Sequence, residues 1–162
     1  MDKRKSYLFQ FPAPIKSTKS FKFFVAHETD KKYYYNDKPL FSKIKNDINS
    51  EETVYQWRRK YVRANKKGVV PTLTANMGLG GHNVPIIKNG IGLRKLTPKE
   101  CFSLQGFPED FKLPDIADSK LYHQAGNSVT VPLIERIAFN MKKSLLNQVP
   151  MRKDTLVAYI RN

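Results

Sequence analysis

The sequence predicts an α+β fold: a small, mostly β domain with short helices, followed by a C-terminal amphipathic helix. Three observations lead there. Runs of strand-forming residues between positions 53 and 96 are only a few residues long and are interrupted by Asn, Gly and Pro. Thr97-Pro98-Lys99-Glu100 has the composition of a helix start, with a hydroxyl cap, proline at the first helical position and glutamate at the third. Ile134, Ile137, Ala138, Met141 and Leu145 recur at helical spacing, which predicts a helix over Thr130 to Leu146 with Pro132 tolerated in its first turn.

Bulk properties narrow the function. The 162 residues suffice for one core, or for a small domain with a docking segment. No apolar run is long enough to cross a bilayer, and Met1-Asp2-Lys3-Arg4-Lys5 is not followed by the apolar stretch of a signal peptide, so a cytoplasmic location is expected. The single cysteine, Cys101, excludes an internal disulfide and a multi-cysteine zinc site. The net charge is +15, and residues 1–96 hold 20 Lys and Arg against 7 Asp and Glu, so +13 of that charge lies in the first three-fifths of the chain. Basic surface gains affinity for nucleic acid by releasing condensed counterions, which makes double-stranded DNA the simplest partner. A merely solvated basic face is the alternative.

Taken in order, Tyr7 to Phe11 and Phe21 to Val25 have strand character, separated by Pro12 and Pro14. Tyr33-Tyr34-Tyr35 is either a base-stacking platform or the cover of a core edge. Leu40, Ile44 and Ile48 have the spacing of a short amphipathic helix. Thr53 to Arg63 reads as a strand, with a turn at Asn65 to Gly68 leading into a second strand over Val69 to Thr74. Arg and Gln carry paired groups that match guanine and adenine edges, and a two-stranded ribbon fits the major groove. Gln56, Arg58, Arg59 and Arg63 are therefore the expected base-reading residues; on a strand, Arg58 and Arg59 face opposite sides.

Thr72 to Asn83 follows, with small hydroxyls and three glycines that permit close backbone approach to a ligand. Thr72, Thr74, Asn76 and Gly78 are its expected DNA contacts. His82 has no second ligand at suitable spacing, and no metal site is expected. A hairpin about Asn89-Gly90 leads into the helix capped by Thr97, which Gly106 ends and Pro108 blocks. Beyond Pro114, Asp118 or Ser119 is expected to cap a short helix ended by Gly126. Cys101 falls on the apolar face of the Thr97 helix, as a structural thiol would.

Residues 94–108, R-K-L-T-P-K-E-C-F-S-L-Q-G-F-P, and residues 122–129, Y-H-Q-A-G-N-S-V, resemble motifs IX and X of the DNA cytosine-5 methyltransferases. Ser103 stands where that family usually has Arg. The resemblance implies a target recognition domain with the motif IX scaffold over 1–106, a motif X segment over 107–149 whose helix docks on a Rossmann-like catalytic domain, and a basic tail over 150–162. It places residues 1–5 on the family's Gln-x-Arg-x-Arg block and Thr72-Leu73 on the Thr-Leu pair that closes the recognition domain. It also implies that Gly126, Asn127, Ser128 and Val129 help enclose S-adenosyl-L-methionine, with no metal.

The family's glycine-rich first motif, Pro-Cys nucleophile loop and Glu-Asn-Val block have no counterpart here, so no residue is expected to be catalytic. The expected role is the DNA-recognition subunit of a split cytosine-5 methyltransferase of a restriction-modification system. Catalysis would come from a partner subunit carrying motifs I to VIII. A truncated methyltransferase without a partner and a non-enzymatic basic DNA-binding module are the alternatives.

Overall fold

A computed structural model of the chain describes residues 9–15, 19–66, 68–79 and 83–146. The expectations for Met1 to Lys5, Tyr7, His82 and the basic tail fall outside them. Contacts divide the chain into two compact units, one of residues 17–129 and one formed by residues 1–16 with 130–162. The break thus follows the helix that ends in Asn127, so this helix groups with the sheet and not with the C-terminal helix.

In the larger unit, four short strands form one antiparallel sheet in the order β2-β1-β3-β4: β1 (Tyr55–Trp57), β2 (Val62–Ala64), β3 (Ile86–Asn89) and β4 (Gly92–Lys95). Mixed helix and antiparallel sheet give the α+β class expected. Adjacent residues of β3 serve opposite faces, as a pleated strand requires. Ile86 joins Tyr35, Leu40, Ile44, Ile48, Tyr55 and Leu93, where α1 (Phe41–Ile44) covers the sheet. Ile87 joins a second cluster with Leu73, Met77, Leu96, Cys101, Phe102, Tyr122 and Ala125, on the side of α2 (Pro98–Leu104) and α3 (Asp118–Asn127).

Four local expectations are corrected. Phe21–Phe24 is a 3₁₀ turn and not a strand, because the Ser20 hydroxyl accepts the Lys22 amide and only Phe21 is buried. Thr53 to Arg63 is itself a hairpin. Its turn falls at Arg58 to Tyr61, where the Arg58 amide donates to the Tyr61 carbonyl and Arg59 has φ 62°. Positive φ at the first central residue is what a two-residue hairpin turn needs, so tertiary pairing has overridden the strand propensity of this stretch. Val69 to Thr74 is irregular: Asn65 Nδ2 donates to the Val69 carbonyl, and Pro71 has no amide for a ladder. Finally, Ala117 and not Asp118 or Ser119 occupies the cap position of α3, which continues through Gly126 to Asn127.

The Thr97 helix follows its sequence closely. Glu100 N donates to the Thr97 hydroxyl at 3.2 Å, Thr97 N donates to the Glu100 carboxylate at 2.7 Å, and Gly106 is left-handed at φ 84°. The three tyrosines are buried, and Tyr34 bridges to Arg94 at the β4 edge, so they form core cover and not a stacking platform.

In the smaller unit, α4 (Val131–Leu145) is held to the N-terminal segment by its polar side. Arg136 donates to the Ala13 carbonyl and Asn140 to the Gln10 carbonyl, and Ser144 on the same side is buried. Ile134, Met141 and Leu145 are 42, 51 and 63% exposed while Ile137 is half-buried, so most of the apolar stripe faces away from the contacts the helix makes.

Candidate functional site

The hairpin of β1 and β2 sits at one edge of the sheet. Tyr55 is buried and Trp57 packs on the α1 cluster, anchoring one face. Gln56 pairs across the ladder with Arg63, so these two share the other face. Arg58 Nη2 donates to Gln56 Oε1 at 3.0 Å, which brings three of the four expected base-reading side chains together. Arg59 is separate, at the exposed turn beside Lys60 and Tyr61. Turn geometry, and not strand alternation, divides Arg58 from Arg59. The tip residues Lys60 and Tyr61 were not anticipated; the signal was present in the run Arg58-Arg59-Lys60-Tyr61, read as strand.

The glycine-rich stretch is anchored through alternate residues. Leu73 and Met77 are buried, while Thr72, Thr74 and Asn76 are exposed, and Ala75–Leu79 is a 3₁₀ turn. This turn lies against α3 without room for side chains. A Cβ on Gly78 would fall 2.3 Å from the Ser119 carbonyl oxygen, and one on Gly126 would fall 2.1 Å from the Thr74 carbonyl carbon. The His123 ring contacts the Ala75 carbonyl at 3.2 Å. Gly78 and Gly126 are therefore close-packing positions, facing protein backbone.

The end of α3 leaves Asn127 and Val129 exposed, and the Asn127 side chain has no hydrogen-bond partner among the described residues. The Ser128 hydroxyl donates to the Ala125 carbonyl at 2.7 Å and holds the turn. The end of α3 therefore presents an open amide and an exposed valine on either side of a turn fixed by Ser128.

Between β4 and α2 lies a clamp whose arginine was not singled out from the sequence. The Arg94 guanidinium donates to both Glu100 oxygens, at 2.9 and 2.8 Å, and to the Ala26 carbonyl at 2.7 Å. Ala26 N returns a bond to Glu100 at 2.8 Å, and both side chains of the pair are almost wholly buried. Such bidentate pairs fix orientation as well as contributing energy. Arg94 stands six residues before Glu100, and only pairing within the fold could reveal it. Cys101, next to the clamp, is fully buried, and burial followed by the Glu100 carboxylate pushes its thiol well above the ordinary range. That suits a structural thiol and not a nucleophile. No group of His, Cys, Asp and Glu that could hold a metal occurs among the described residues, and none of their helices is long and apolar enough to cross a membrane.

The fold is shared with a methyltransferase, and the family follows from the sequence. The chain belongs to the C-5 cytosine-specific DNA methylases, whose family model matches residues 5–143. It is 52% identical over 144 residues to the type II methyltransferase M.Bsp6I of Bacillus sp. (strain RFL6), covering 88% of this chain and 46% of that protein. It is 34% identical over 148 residues to the type II methyltransferase M.NlaX of Neisseria lactamica, covering 85% of this chain and 43% of that one. The methyltransferase EhMeth of Entamoeba histolytica shares the fold at a TM-score of 0.55 and 14% identity, over 91% of this chain and 46% of that one. The chain spans less than half the length of these relatives.

Proposed function

We propose that the chain is the DNA-recognition part of a type II cytosine-5 methyltransferase of a restriction-modification system, working with a separate catalytic subunit that carries motifs I to VIII. The observation that carries this reading is the hairpin of β1 and β2, which gathers Gln56, Arg58 and Arg63 on a two-stranded ribbon anchored by Tyr55 and Trp57. The target cytosine has to leave the duplex to be attacked. The ribbon reads the flanking bases from the major groove, and Thr72, Thr74 and Asn76 contact the backbone at the opened site. When bound, S-adenosyl-L-methionine supplies the methyl group. Asn127 and Ser128 close one wall around it, and Gly126 lets that wall lie flat on the recognition loop. The exposed stripe of α4 supports docking on the catalytic subunit, because its intramolecular contacts use the polar side.

The test is co-expression with a catalytic subunit, followed by bisulfite sequencing of host DNA. Methylation at one short sequence is expected only with both chains. Arg63→Ala should cost about 1–3 kcal/mol of binding and relax the sequence at one position. Methyl transfer by the purified chain alone would sink the split reading, and an equal loss on all sequences would sink base reading by Arg63.

A further inference from the structure

Three ammonium groups crowd the opposite edge of the sheet, around the end of β4. Lys32 pairs with Asp118 at 3.1 Å, and the Tyr33 hydroxyl donates to the same carboxylate at 3.0 Å. Asp118 is thereby committed. Lys38 Nζ donates to the Lys32 carbonyl at 2.5 Å and lies 5.5 Å from the centre of the Tyr35 ring. Lys95 Nζ lies 5.6 Å from the centre of Tyr33 and 5.2 Å from that of Tyr122, half-buried, with no ion pair or hydrogen bond of its own among the described residues, and the Asp118 carboxylate, already paired with Lys32, offsets only part of its charge. Cation–π contact offsets part of the lost hydration. It does not neutralise the charge: burial first, and then Lys38, push the Lys95 ammonium below its ordinary range.

Like charges held close together, two of them half-buried, are costly, and a bound anion removes that cost. We propose that Lys38 and Lys95, seated on the rings of Tyr35, Tyr33 and Tyr122 beside Lys32, form a phosphodiester-binding site that grips the DNA backbone. The inference rests on the DNA-recognition reading but uses none of the residues that carry it. The cluster lies at the end of β4, where Lys95 pairs with Ile86 and so shares the face of the sheet that carries Tyr55, not the face of Gln56 and Arg63. A backbone gripped there is a contact separate from the ribbon's base-reading face. Phosphate contacts of this kind set register and orientation without reading sequence.

The experiment is the salt dependence of binding by the full chain to a labelled random-sequence duplex, between 50 and 200 mM salt. Lys95→Gln and Lys38→Gln should each lower the slope of log affinity against log salt by about one, so that each variant loses about three- to fourfold less affinity across that range than wild type. Lys95→Arg should keep the slope. Lys112→Gln, an equal charge change at an exposed residue away from the cluster, gives the background effect. The single tryptophan, Trp57, reports that each variant is folded. Slopes for both Gln variants equal to that of Lys112→Gln overturn the site while leaving the recognition reading intact. The same holds if only binding to the catalytic subunit weakens. A wild-type chain that binds no DNA overturns both.

Discussion

Replacing Glu100 with Ala strips four hydrogen bonds from one carboxylate: two from Arg94, one from the Ala26 amide and one from the Thr97 amide. Arg94 is then a fully buried cation holding only the Ala26 and Lys95 carbonyls. Removing one partner of a buried pair costs about 3–5 kcal/mol, and loss of a helix cap about 1 kcal/mol. The two overlap here, because the same carboxylate does both, so about 4 kcal/mol is expected. Against a total stability of roughly 5–15 kcal/mol this is a large fraction. With a urea slope of about 2 kcal/mol per molar, the midpoint should fall by about 2 M. Trp57 reports from β1, in the same compact unit as the clamp. The double variant Arg94→Met/Glu100→Leu removes both charges and should recover at least about 2 kcal/mol of the loss, since apolar replacement of a buried pair is often neutral. A midpoint shift below about 0.5 M for the single variant, or a double variant no more stable than the single, would refute the view that an uncompensated Arg94 dominates.

Gly126→Ala should destabilise the chain by about 1–3 kcal/mol or more, since its Cβ meets backbone at Thr74 and not a movable side chain; a neutral effect in urea unfolding counts against the packing described. Burying the exposed Ile134, Met141 and Leu145 of the α4 stripe at a partner is worth on the order of 4–9 kcal/mol before association costs. Ile134→Ser/Met141→Ser should therefore abolish capture of the catalytic subunit in sedimentation experiments, and undiminished capture argues for docking elsewhere. Cys101 should resist a thiol reagent until the protein is unfolded; rapid labelling of native protein would show an exposed thiolate. Burial pushes Tyr35 up to about 12 and also raises Tyr122 and Cys101, so the folded chain holds protons that the unfolded chain releases near pH 9 to 10. Stability is then full below pH 9 and lost as pH rises toward 12, and a flat alkaline profile would contradict this.

What the sequence carried was local. Thr97, Pro98, Glu100 and Gly106 specify the start and end of α2 through contacts within ten residues of each other, and all four act as their chemistry suggests. The Asn89 hairpin and the burial of Leu40, Ile44 and Ile48 were equally legible. Long-range choices were not. Thr53 to Arg63 has strand formers throughout, and nothing local says that Val62 pairs back on Trp57 with Arg59 forced into a left-handed turn. Phe21–Phe24 curls because one hydroxyl caps it and one ring finds the core. On the hairpin, Gln56, Arg58 and Arg63 were singled out by residue type, and the fold brings them together. The Arg94 clamp and the lysine cluster arise only when β4 meets the residue 26 and 32–38 segments, which are more than 55 positions away.

The contact between the Ala75–Leu79 turn and α3 bears on how such enzymes change specificity. Two glycines, 48 positions apart, each lack a side chain because the other's segment fills the space. A recognition loop transplanted from a relative must therefore bring its matching helix face along. Grafting residues 53–79 alone would set foreign backbone against His123 and Gly126, whereas moving 53–129 together keeps the lock and its key from one parent. Recombination that preserves function should accordingly cross over before β1 and after Val129, and specificity would pass between lineages as one block that includes the turn at the end of α3.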